Sequence, residues 1–190
     1  RANAIAFDIR EAGRLKRKGN PLTGTILKDK NGNPQREPGL FTDVKGIGWF
    51  IKEYGVAQIS YNLTNINISP LHEVFDKTCE RAIARGLRVT GSELIGLVPK
   101  KVLIDAGKYF LKKQKRSIGI SEHEIIKIAV KTLGLDELSE FKPKERVIEY
   151  ILEENNTQPL INMTLTEFAN ETASESPAPG GGSISAYCGA

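Results

Sequence analysis

The chain has 190 residues, of which 39% are hydrophobic and 26% charged, the balance of a folded globular protein rather than a fibrous or low-complexity one. No apolar run is long enough to span a bilayer and no signal peptide opens the chain, so a cytoplasmic protein with no membrane partner is expected. The 27 Lys and Arg are set unevenly against the 23 Asp and Glu: 17 acids lie at or before Arg146, a net of +10, and the six beyond it meet no base.

A composition break of that kind marks a boundary near Arg146. Bases and acids interleave in the basic portion and no aromatic-rich basic strand occurs, so no nucleic acid partner is expected. Of the two cysteines, Cys79 falls on the apolar face of a predicted helix and Cys188 close to the last residue, so no structural disulfide is expected. Opening at Arg1 without a methionine and stopping at Cys188-Gly-Ala, the chain reads as a piece cut at both ends.

From Ala2 to about Lys16 the spacing predicts a helix with Ala2, Ile5, Ala6, Ile9 and Ala12 on one face, stopped by Gly19-Asn20-Pro21. Thr23 to Glu37 reads as an exposed hairpin insertion turning at Asn31-Gly32. Asp29-Lys-Asn31-Gly-Asn33 is no calcium loop, because Pro34 stands where that loop needs glycine and Leu40 where it needs glutamate. Two strands follow. Ile47, Trp49 and Ile51 alternate with Gly46, Gly48 and Phe50, and Ile59, Tyr61 and Leu63 alternate with Gln58, Ser60, Asn62 and Thr64. The second strand has one face fit to cover helices and another of uncharged hydrogen-bonding groups. That row suits either a solvated sheet face or the wall of a polar ligand site.

Ser69 and Pro70 open a helix whose stripe is Leu71, Val74, Phe75, Thr78, Cys79, Ala82 and Ile83, stopped by Gly86. His72 flanks the stripe and reads as a packing residue, since no orienting acid or nucleophile stands at a fixed offset. Leu87–Leu97 reads as a third strand. Pro99 opens a helix with Val102, Leu103, Ala106, Tyr109 and Phe110, ending in the basic cluster Lys108, Lys112, Lys113, Lys115 and Arg116, either a solvated helix end or an anion site. Ser121-Glu-His-Glu124 is a capping box for a helix stopped by Gly134, with His123 in its polar first turn. Val147, Ile148, Ile151 and Leu152 form a short helical stripe after Pro143, and 153–159 is a polar linker. Thr164-Leu-Thr-Glu167 is a second capping box. Pro177-Ala-Pro-Gly-Gly-Gly-Ser183 then leads into a last helix. It is no Walker loop, but Gly180, Gly181, Gly182 and Ser183 could present backbone N–H groups to an anion, or serve as a plain hinge.

The order helix, strand, strand, helix, strand fits the tail of a βαββαβ, ferredoxin-like unit of α+β class whose first strand precedes Arg1, with extra helices after it. Its sheet would hold Lys45–Glu53, Val56–Asn65 and Leu87–Leu97. Segments running in order through the chain carry a resemblance: Lys45-Gly-Ile-Gly-Trp49, Ala57-Gln-Ile-Ser60 with Asn62-Leu63, Leu71-His72, Gly91-Ser92, Gly96-Leu-Val-Pro99, Leu133-Gly-Leu-Asp136, Pro143-Lys-Glu-Arg146 with Ile148-Glu-Tyr150, and Ala178-Pro-Gly-Gly-Gly-Ser183. On these the chain resembles the formiminotransferase-cyclodeaminase (glutamate formimidoyltransferase) family.

The resemblance implies that 1–152 is the second transferase subdomain, 153–159 a linker and 160–190 the opening of a helical cyclodeaminase domain. It implies transfer of a formimino group from N-formiminoglutamate to tetrahydrofolate, plain or polyglutamylated, as co-substrate, followed by ring closure with loss of ammonia, in histidine degradation and without a metal. The implied partners are the first transferase subdomain, the rest of the cyclodeaminase and further copies of the chain in a homo-oligomer. The family's catalytic histidine and deaminase aspartate fall outside these residues, so no catalytic residue is assigned and the piece alone is expected to be inactive. Folate in the family lies in a tunnel between the transferase subdomains, and Gln58, Ser60 and Asn62 are assigned to its wall. The competing expectation is a non-catalytic ferredoxin-like assembly module, in which helices of the chain itself would cover that row.

Overall fold

The computed structural model describes residues 1–154, 163–174 and 179–189, and the chain divides into two units, Arg1–Ile148 and Glu149–Ala190. The first is a mixed α+β unit. Its opening helix, α1 (Ala2–Ile9), buries Ala2, Ile5, Ala6 and Ile9. The predicted run to Lys16 is too long: Arg10 is already extended, Gly13 takes φ +55°, and Ala12 is exposed. A β-carbon on Gly13 would lie 1.8 Å from Glu37 O, so a left-handed turn only glycine fits stands here, ahead of the expected stop at Gly19.

The next stretch makes two short antiparallel pairs. The strands are β1 (Arg14–Leu15), β2 (Arg17–Lys18), β3 (Thr25–Ile26) and β4 (Arg36–Glu37), with β1 against β4 and β2 against β3. The insertion turns at Asn31-Gly32 as expected, where Asp29 Oδ1 accepts the N–H groups of Asn31 and Asn33, each at 2.8 Å. Those bonds, Asn33 first, outweigh desolvation and hold the Asp29 carboxyl below its ordinary pKa.

Strands β5 (Val44–Ile51) and β6 (Val56–Leu63) form an antiparallel pair running from Val44↔Leu63 to Ile51↔Val56. Directly opposed residues share a face, so Val44, Gly46 and Gly48 lie with Leu63, Tyr61 and Ile59. This is the helix side. Ile5, Ile9 and Val44 join Val74 and Ala82 of α2 (Leu71–Ile83) in one core, with Phe41, Ile59, Tyr61 and Leu63 packed against it. Each fully buried Ile or Val side chain contributes about 1.5–3 kcal/mol. Gly48 is required here: a β-carbon would stand 2.6 Å from Ala2 C and Asn3 N of α1.

Helix α2 differs in detail from its prediction. Ser69 does not cap it; its buried hydroxyl donates to Thr42 O at 2.5 Å, tying the helix start to the loop before β5. Ile83, expected in the apolar stripe, is 71% exposed. The predicted third strand is a larger correction. Leu87–Leu97 is in no ladder among the described residues, although Leu87 and Val89 reach the core shared by α1 and α2. A strand exists only where another backbone pairs with it along a ladder, and here isolated bonds to residues 133 and 134 hold the segment instead. Ser92 donates through N–H to Gly134 O at 3.0 Å and through its hydroxyl to Leu133 O at 2.6 Å.

Helices α3 (Lys100–Lys113) and α4 (Glu122–Leu133) pack together through Val102, Leu103, Ala106 and Phe110 against Ile125, Ile126, Ala129 and Leu133, all buried. Ser121 caps α4, accepting the Glu124 N–H at 3.4 Å, while the Glu124 carboxylate pairs with Lys127. The stripe after Pro143 is broken. Between α5 (Pro143–Arg146) and α6 (Ile148–Glu154), Val147 is extended, fully buried and bridged in parallel to Val98. In the second unit, α7 (Leu165–Thr172) carries the complete Thr164–Glu167 capping box, followed by α8 (Gly181–Cys188). The linker positions 155–159, residues 160–162 and Pro177-Ala178 of the glycine motif lie outside the described residues.

Candidate functional site

The face of β5–β6 turned away from α1 is built by register. It pairs Lys45 with Asn62, Ile47 with Ser60, Trp49 with Gln58 and Ile51 with Val56. Gln58, Ser60 and Asn62 therefore stand together, and β5 sets an apolar row beside them. Asn62 and Lys45 are exposed and Gln58 and Ser60 partly so; Ile47 and Trp49 are 55% and 44% exposed. Thr64, next in the polar alternation, is committed elsewhere, donating through Oγ1 to Asp43 O at 3.0 Å. The two strands put no Asp, Glu, His or Cys on this face. Such a surface can hold a ligand by hydrogen bonds and apolar contact but supplies no proton-transfer group.

A second polar cluster joins α2 to α3 and was not singled out in the sequence. Tyr109 donates to Asp76 Oδ2 at 2.7 Å, Lys113 pairs with the same oxygen, and the His72 ring lies 4.6 Å from the Tyr109 ring. Its signal was two i,i+4 pairs on facing helices, His72 with Asp76 and Tyr109 with Lys113. Burial alone would raise the Asp76 carboxyl, but bonds from Lys113 and Tyr109 outweigh it and hold the pKa below the ordinary value. The bond to Asp76 and burial push Tyr109 up to about 12. Burial lowers His72 against the opposing pull of Glu73, Asp105 and Asp76, so it is a neutral packing ring, as the sequence suggests. His123 lies exposed in the first turn of α4.

In the other unit, Gly180 is the N-cap of α8 with no side-chain cap, and β-carbons on Gly180, Gly181 or Gly182 would meet nothing within 4 Å. No group of three or more His, Cys, Asp or Glu able to hold a metal occurs among the described residues. Nor is any helix among them long and apolar enough to cross a membrane.

Residues 1–153 match the formiminotransferase domain family, and residues 164–190 match formiminotransferase-cyclodeaminase. The chain is 41% identical over 186 residues to the formimidoyltransferase-cyclodeaminase of Gallus gallus and 40% identical to that of Sus scrofa. Each match covers 97% of this chain and 31% of the relative. A shorter match, 38% identical over 73 residues, covers 38% of this chain and 24% of the glutamate formimidoyltransferase of Thermoplasma acidophilum. The chain thus spans about a third of the length of the bifunctional relatives. With 153 of its 190 residues inside the first match, the chain belongs to the formiminotransferase domain family.

Proposed function

We propose that this chain is the folate-binding second subdomain of a glutamate formimidoyltransferase, residues 1–152. A linker at 153–159 joins it to the opening of a formimidoyltetrahydrofolate cyclodeaminase at 160–190. The observation that carries the reading is the match of 1–153 to the transferase domain followed by that of 164–190 to the bifunctional family. In the intact protein N5 of tetrahydrofolate attacks the formimino carbon of N-formiminoglutamate, a base takes the N5 proton, and a proton is given to the glutamate nitrogen as the tetrahedral intermediate expels it. The β5–β6 face offers no base, so its part is to hold the acceptor: Gln58, Ser60 and Asn62 form one wall of the folate site. Gly180, Gly181, Gly182 and Ser183 present backbone N–H groups to an anionic part of the product in the deaminase.

The ferredoxin-like arrangement is also a proposal. Tyr61 and Leu63 of β6 share a core with Leu87 and Val89, yet β6 pairs only with β5 among the described residues. A further strand between β6 and Leu87–Leu97 would complete a four-stranded sheet and give the extended segment its missing partner.

The test is formimino transfer by the full-length protein. Asn62→Leu should lower kcat/KM by about five- to a hundred-fold, the equivalent of one or two lost hydrogen bonds at about 1–3 kcal/mol, with Tm little changed because the residue is exposed. Unchanged kinetics with a lowered Tm would end the wall assignment, and no transfer by the wild-type protein would end the functional reading.

A further inference from the structure

Strand β5 carries Val44, Gly46, Gly48 and Phe50 on its helix side and Lys45, Ile47, Trp49 and Ile51 on the other, so its outward side is as apolar as its inward one. A solvated sheet face is normally polar on its outer side. An exposed row of this size next to neutral amides marks a surface that something covers. The face also changes character along its length. At one end Lys45, exposed and without an ion pair among the described residues, stands across from Asn62. Four residues further on, roughly 13 Å at the strand rise, Trp49 stands across from Gln58, and the far end is the apolar pair Ile51 and Val56.

The geometry points to a lengthwise site for the acceptor of the transfer, with Trp49 as the platform for its ring head and Lys45 as the anchor of its anionic tail. Tetrahydrofolate has this distribution: a planar pyrimidinone with amide-like donors and acceptors at one end, an uncharged spacer, and glutamate carboxylates at the other. The indole stacks on the flat ring, and Gln58, directly opposite and able to donate and accept, bonds the ring edge. The tail lies along Ile47 and Ser60 towards Lys45, where unlike charges meet with no competing acid on the face. A second protein layer would also cover the apolar row, but charge complementarity favours the ligand: at one end a cation without an ion pair among the described residues and no acid from either strand, at the other a neutral amide. The assignment rests on the transferase reading above.

The experiment measures binding of tetrahydrofolate and of 6-methyltetrahydropterin, the ring head without the tail, to the full-length protein by calorimetry, alongside the kinetics of transfer. Trp49→Ala should weaken both ligands about ten-fold, the scale of a lost aromatic stack, and leave KM for N-formiminoglutamate unchanged. Trp49→Phe should recover most of the loss. Lys45→Gln should weaken tetrahydrofolate several-fold and leave the ring analogue within two-fold of wild type. The assignment is overturned if the wild type transfers normally and Trp49→Ala binds both ligands as tightly. It is also overturned if Lys45→Gln and Trp49→Ala weaken both ligands alike. A fall in Tm for Trp49→Ala with affinity per folded molecule retained would mean that a protein layer covers the face. A wild-type protein that neither binds nor transfers would remove the functional reading itself.

Discussion

Adding a single methyl group at Gly48 tests how closely α1 lies on the sheet. The new β-carbon would sit 2.6 Å from Ala2 C and Asn3 N and 2.9 Å from Ala2 O. All three are backbone atoms of the first turn of α1, so no side-chain rotation relieves them. The contact is independently tied by the Gly48 N–H, which donates to Asn3 Oδ1 at 3.3 Å. Favourable carbon contacts begin near 3.5 Å, so α1 must retreat by about 1 Å while Ile5 and Ile9 lose part of their packing on Val44. Overpacking of this kind costs about 1–3 kcal/mol, and Gly48→Ala should cost about 2 kcal/mol. Gly46→Ala should cost less, because its methyl would meet the Tyr61 ring at 2.7 Å and a ring can turn. Gly119→Ala is the control, with one contact at an ordinary 3.5 Å. The assay is hydrogen exchange of the β5 and α1 amides in the full-length protein, with urea unfolding alongside. If Gly48→Ala stays within about 0.5 kcal/mol of the control, α1 does not press on β5 and the account of the inward glycines is wrong.

The α2–α3 cluster gives two pH limbs. Asp76 has a lowered folded pKa, so its contribution is present above the ordinary carboxylate pKa and fades as pH falls through the folded value. Asp76→Asn should cost about 1–2 kcal/mol at neutral pH and flatten the acid limb of the stability profile, and an unaltered limb counts against the pair. Tyr109, raised from 10.0 to about 12, contributes fully below pH 10.0 and loses that contribution as pH rises through about 12. Tyr109→Phe should remove that alkaline loss from a melting series. Ser92→Ala should cost about 1 kcal/mol and speed exchange at the end of α4, where the hydroxyl bonds Leu133 O; unchanged protection would show the segment is held elsewhere. Gly182→Ala, with nothing within 4 Å and a helical position, should hold or raise Tm through helix propensity worth up to about 1 kcal/mol. If the glycine loop holds an anion by close backbone approach, the same change should cut cyclodeaminase turnover at least ten-fold, and full activity would take the loop out of the site.

What the sequence made legible was whatever depended on one segment alone. Helices α2, α3 and α4 follow from apolar spacing and from stops that lie next to them, and the Thr164–Glu167 box closes in both directions because its partners are three residues apart. The overrun of α1 to Lys16 came from reading periodicity through Gly13, whose left-handed conformation is fixed by the approach of Glu37, 24 positions later in the chain. Leu87–Leu97 has the composition of a strand, but composition cannot supply a partner. Ser69 has the identity of a helix cap, and a carbonyl 27 residues earlier outcompetes the helix for its hydroxyl. The first and last of these are long-range contacts overriding a sound local preference, and the second is a local preference without the long-range partner it needs.

The candidate site shows the same limit and a way past it. The polar alternation of β6 was legible, and so was its inward apolar row. The composition of the whole face was not, because Trp49 beside Gln58 and Lys45 beside Asn62 follow from register. Gly46 and Gly48 were the available signal. Two glycines at alternate strand positions provide no side chains to bury, which makes sense only if another backbone or a large ring occupies the space. Here the space is taken by the first turn of α1 and the ring of Tyr61. Alternation then sends Ile47, Trp49 and Ile51 to the opposite side. In β5 the two glycines mark where α1 and the Tyr61 ring press closest on the strand, and Ile47, Trp49 and Ile51 stand on the side they leave free.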